Sequence, residues 1–141
     1  MNRPVILCSL MALFLMGCSS AEKQNLPQYA GSGGMSEWNI DPVAYLYHYD
    51  NGFTGSDALG YNEQLQTVWS RLGAAQTCKV TYDKQAMIDR LVLQFGESRV
   101  THELNGIGFH AVQSRKVPRF CNEDRIEQLQ RTIRKYQRDQ L

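Results

Sequence analysis

An apolar run from Val5 to Met16, preceded by Arg3 and closed by Gly17, most constrains what this chain can fold into. A positive charge, a short apolar stretch and a small residue before a cut together form a secretory signal. The run is too short to span ~30 Å of hydrocarbon. It therefore leaves the folding problem as a removable leader. The remaining chain belongs to an exported, oxidising compartment where disulfides persist. Residues 1–17 are read as signal peptide, 18–36 as tether and 37–141 as one domain. A domain of about 100 residues buries a modest core and is marginally stable.

The stretch Leu15-Met16-Gly17-Cys18 resembles the lipobox of bacterial lipoproteins. The resemblance implies cleavage just before Cys18 and acylation of that cysteine, palmitate being one expected chain. It also implies attachment to the membrane through lipid. In Gram-negative members an Asp beside the acylated cysteine favours the inner membrane. Ser19 stands there in this chain, which implies the outer membrane, with the domain on its periplasmic face. Residues 19–36 include Pro27 and Gly31-Ser32-Gly33-Gly34, a composition that suits a flexible spacer between lipid and domain.

Cys8 leaves with the leader, and the resemblance reserves Cys18 for lipid. Cys78 and Cys121 remain, an even pair expected to form one disulfide. Such a bridge is worth about 4 kcal/mol in the chain-entropy model, a large share of a small domain's stability. Two cysteines this far apart do not make a metal site, and no metal or cofactor is expected.

Local signals predict an α+β fold, a small antiparallel sheet with flanking helices. Asp41 as N-cap and Pro42 at the first position open a short helix that Asn51-Gly52 stops. On it, Val43, Leu46 and Tyr47 are expected inward, with Tyr45 and Tyr49 outward. A second helix runs from about Leu59 to Ala75, with Leu65, Val68, Trp69 and Leu72 on one face and Gly73 near its end. Cys78 to Tyr82 reads as a short strand. Residues 83–96 fit either a helix capped by Asp83 and Gly96 or an alternating strand, and the helix is preferred. Asn105-Gly106, between alternating runs, predicts a hairpin over Arg99 to Val112. That register puts Val100, His102, Leu104, Ile107, Phe109 and Ala111 on the core face, and His110 on the opposite one. Asn122 caps a last helix whose Ile126, Leu129, Ile133 and Tyr136 form a narrow seam.

Charge is uneven along the chain. Residues 19–70 set one lysine against six carboxylates, whereas residues 115–138 set eight cations against three. Nucleic acid does not fit an envelope protein. An acidic partner or anionic lipid headgroups suit the basic tail. The candidate partner-binding residues are therefore Ile126, Leu129, Ile133 and Tyr136 of the seam, with Arg131, Arg134 and Lys135 beside it.

Catalytic signals are weak. Among His48, His102 and His110, the hairpin register separates the last two, and there is no C-x-x-C pair or phosphate loop. Glu97 and Glu103 form no distinctive carboxylate pair. No catalytic residue is assigned. The expected role is a non-catalytic accessory or assembly factor of an envelope machine serving secretion, pili, conjugation or barrel assembly, with a protein partner in the envelope. Asp83 through Phe95-Gly96 into the hairpin resembles the helix-plus-hairpin core of small barrel-assembly lipoproteins. Two alternatives are a glycan- or peptidoglycan-binding lipoprotein using Trp38, Tyr45, Tyr47, Tyr49 and Phe53, and an envelope inhibitor or immunity lipoprotein.

Overall fold

Helix boundaries in this chain are written mainly by capping side chains. The computed structural model describes residues 29–36, 39–55, 58–60, 62–103 and 105–141. The Asp41 side chain accepts from Val43 N at 2.7 Å and opens α1, Pro42–Asn51, which closes at Gly52. Asn62 does the same through Leu65 N for α2, Glu63–Thr77. Asp83 caps α3, Lys84–Phe95, which Gly96 ends. Residues 83–96 are thus helical. Glu97–His102 form the short α4, and Gly106–Lys116 form α5. Asn122 caps α6, Glu123–Tyr136, with acids in its first turn and bases in its last.

The fold is therefore helical, and the α+β expectation is corrected. Among the described residues there is no sheet, only an isolated bridge between Met35 and Ile40. Cys78–Tyr82 is not a strand, because its backbone is spent closing α2. Lys79 takes φ 58°, and Val80 N reaches back to Ala75 O at 2.8 Å. That is a helix-ending motif in which the left-handed residue turns the chain away.

The hairpin fails for a different reason. Ile107, His110, Ala111 and Ser114 are all buried, at spacings of three, one and three, which is a helical face. Gly106 does not serve a tight turn. A Cβ there would lie 2.5 Å from the Trp69 ring, so the missing side chain makes room for the indole. His102 is exposed and His110 fully buried, the reverse of the hairpin register, and Phe109 is 36 % exposed. Leu104 lies outside the described residues.

At the centre lies α2, buried on more than the one face expected, from Leu65 through Ala75. Its C-terminal half carries Gly73-Ala74-Ala75, which lets α5 approach closely. A Cβ on Gly73 would sit 2.7 Å from Ala111 N and Ile107 O. One core cluster joins Trp69 and Leu72 to Met87, Leu91, Val100 and Ile107, and to Ile133 of α6. The other joins Tyr45, Tyr49 and Phe53 to Ala74, Val117, Phe120 and Leu129.

The α1 aromatics are turned opposite to expectation. Tyr45 and Tyr49 are buried, while Tyr47 is 39 % exposed. The winning face packs edge-on to Phe120 and against Phe53. The end of the predicted tether also belongs to the fold. Tyr29 packs against Tyr47 and His48, and Asp41 N donates to Gly34 O at 2.8 Å.

The disulfide Cys78–Cys121 is present and spans 43 residues. It ties the end of α2 to the start of α6 across the connection that contains α3, α4 and α5. No helix among the described residues is long and apolar enough to cross a membrane.

Candidate functional site

A polar chain runs from the interior of the molecule to an apolar-walled cleft. Its inner end is Tyr45 on α1, whose hydroxyl lies 3.0 Å from His110 Nδ1 on α5. His110 Nε2 lies 3.0 Å from Gln66 Oε1 on α2. Gln66 Nε2 then donates to Glu103 Oε2 at 2.6 Å, just beyond α4.

The direction of every bond follows from the last one. An ionised carboxylate only accepts, so the Gln66 NH2 group faces Glu103 and its carbonyl oxygen faces His110. His110 must then carry its proton on Nε2, and Nδ1 accepts from the Tyr45 hydroxyl. Each proton is thus spent toward Glu103. Burial, helped by the Arg71 charge, pushes the His110 imidazole down to about 3, so it stays neutral in its core position. Burial also pushes the Tyr45 phenol well above its ordinary range, which keeps it a donor.

The cleft itself has a volume of about 360 Å³. Ile40, Leu59 and Phe109 supply apolar wall, and Gln66, His102 and Glu103 supply polar lining. Gly60, at φ 72°, lies over the Gln66–Glu103 contact. A Cβ on it would collide with both side chains, so this residue leaves the polar floor its place.

Elsewhere, Tyr49 is sandwiched between two guanidinium groups. Arg71 sits 3.8 Å and Arg125 4.7 Å from its ring centroid. Arg125 is held there by Asp50, at 2.6 and 3.3 Å. Among the described residues, no hydrogen bond of normal geometry reaches the buried Tyr49 hydroxyl or the Trp69 indole N–H.

Of the residues singled out in the sequence, Cys18 lies outside the described residues. Leu129, Ile133 and Tyr136 are buried and Ile126 is half-buried, all facing the protein's own core. Burial pushes the Tyr136 phenol up to about 12. The seam is narrow because α6 docks along α2, and that leaves it no free apolar stripe. Arg131, Arg134 and Lys135 remain exposed, Arg131 paired with Glu127. The three histidines do not converge, and no metal-binding cluster of His, Cys, Asp and Glu occurs among the described residues.

Sequence reasoning missed Gln66, Glu103 and Tyr45 as one unit with His110. Their helices are far apart in the chain, and the only local cue was a helical face on residues 107–114. No protein-family model, curated protein or solved structure matches the chain.

Proposed function

We propose that this protein is a lipid-anchored, non-catalytic accessory or assembly factor of the bacterial envelope, held at the periplasmic face of the outer membrane through Cys18. It acts by engaging a protein partner. The lipobox at Leu15–Cys18 supports the anchor. The observation that carries the partner role is the division of labour on α6. Its apolar seam is consumed by the core, while Arg131, Arg134 and Lys135 point outward. A basic face that is not needed for folding is free to meet an acidic surface.

Two supports for other roles fall away. The aromatic group on which a glycan-binding reading rests is largely spent in the core, with Tyr45, Tyr49 and Phe53 buried. The likeness to the small barrel-assembly lipoproteins loses its hairpin, since residues 99–112 lie in α4, α5 and their connection.

The test is triple charge reversal, Arg131→Glu, Arg134→Glu and Lys135→Glu, in the full chain. The far-ultraviolet circular dichroism spectrum is expected to stay the same, because all three side chains are exposed. Crosslinking in intact cells is expected to lose its partner bands. An unchanged crosslinking pattern would remove α6 from the partner contact.

A further inference from the structure

We propose that a basic groove between α6 and residues 79–84 receives an extended acidic stretch of a polypeptide partner. The groove has two lobes that share Lys79, Val80 and Thr81. One, of about 370 Å³, reaches across to Gln130, Arg134 and Gln137 of α6. The other, of about 340 Å³, runs past Gln76 to Lys84 at the start of α3. Lys79 stands where the lobes meet, so cations mark both ends and the middle of one path. Among the described residues no carboxylate lines either lobe. The acids neighbouring these elements in sequence are engaged: Asp83 caps α3, Asp139 pairs with Arg90, and Glu127 pairs with Arg131. Lys79, Lys84 and Arg134 are exposed, and the ion pairs among the described residues take none of them.

Arg134 suits the last turn of α6, but folding does not ask for the two lysines. Lys79 holds left-handed backbone at φ 58°, where glycine or asparagine fits with less strain. Lys84 opens α3 at the end where the helix dipole favours an acid.

The neutral lining selects the kind of anion. Gln76, Gln130 and Gln137 carry amides that both donate and accept, and the Thr81 hydroxyl does the same. A phosphate or a lone carboxylate needs donors only. A peptide passing over this lining presents N–H and C=O groups in turn, while its acidic side chains meet the cations. A bilayer offers its phosphates in a plane and is met by projecting cations, whereas this path lies between two elements. The inference rests on the partner-binding reading above and names the partner's chemistry.

The test uses the full-length lipidated protein in phosphatidylcholine nanodiscs, with the Val80 methyl resonances followed by NMR. The probes are acetyl-Ala-Glu-Ala-Glu-Ala-Glu-Ala-amide and its glutamine counterpart. The acidic peptide is expected to shift the Val80 signals saturably, and the glutamine peptide to bind about tenfold more weakly. Lys79→Asn combined with Lys84→Gln should weaken the acidic peptide by about as much, asparagine being tolerant of the left-handed backbone. Arg115→Gln combined with Lys116→Gln removes the same charge from exposed positions on α5 and should weaken it less than about twofold.

Equal binding of the two peptides by the parent protein would overturn the proposal, whatever the variants do. So would parental binding by the folded Lys79/Lys84 variant, or equal losses in the two paired variants, which would mean diffuse attraction. Nanodiscs of phosphatidylglycerol that shift the Val80 signals as the peptide does would give the groove to lipid and overturn it too. Lys79 and Lys84 lie outside α6, and crosslinking in cells is measured separately. Failure of the groove and failure of the partner role are therefore distinguishable.

Discussion

Tyr45 and Tyr49, one helical turn apart, are both buried, but their hydroxyls are held differently. The Tyr45 hydroxyl faces His110 Nδ1, whereas among the described residues no hydrogen bond of normal geometry reaches the Tyr49 hydroxyl. Tyr45→Phe should cost about 1–3 kcal/mol by orphaning a buried acceptor. Tyr49→Phe should cost less than Tyr45→Phe, since it loses no hydrogen bond of normal geometry among the described residues and keeps the ring under Arg71 and Arg125. Chemical denaturation of the two variants compares them directly. His110 makes a second prediction. It binds a proton near pH 3 when folded and near 6.5 when unfolded, so the unfolded chain holds more protons between those values. Its contribution to stability is complete above pH 6.5 and is lost as the pH falls toward 3. Between pH 6.5 and about 5 the loss should reach up to ~1.4 kcal/mol per pH unit. His110→Gln should flatten that slope. An equally steep slope in the variant would show that another group titrates.

Between elements, the decisive contact is α2 against α5. Gly73→Ala would press a methyl onto the backbone of Ala111 and Ile107, at 2.7 Å from each nearest atom. It should cost about 1–3 kcal/mol, read as a lower melting temperature, although Ala is the better helix former. The same contact explains what the sequence did and did not disclose. Caps are local chemistry, so Asp41-Pro42, Asp83, Gly96 and Asn122 mark their helix ends where the structure has them. The Cys78–Cys121 pairing was legible too, once the lipobox resemblance set Cys8 and Cys18 aside. Asn105-Gly106 misled because glycine's value there is room for the Trp69 ring, which no neighbouring residue announces. Period-two alternation around it was incidental, and the buried face of α5 follows the helical period. The outward turn expected for Tyr45 and Tyr49 failed likewise, because Phe53, His110 and Phe120 come from elsewhere in the chain to cover them. The candidate site was the least legible part, being assembled from α1, α2, α5 and the turn after α4.

At the scale of the whole molecule, the disulfide and the central α2 organise a helical domain in which the apolar seam of α6 is occupied internally. Its outward resource is the basic face on α6. That face acts as proposed only if the domain is held where an envelope partner can meet it, which makes attachment through Cys18 the central claim. The most direct measurement is metabolic labelling of cells with a radioactive fatty acid, comparing the parent chain with Cys18→Ser. The parent should incorporate label and fractionate with the outer membrane. The variant should carry no label and accumulate no normal mature form. Equal labelling of the two chains would contradict the account.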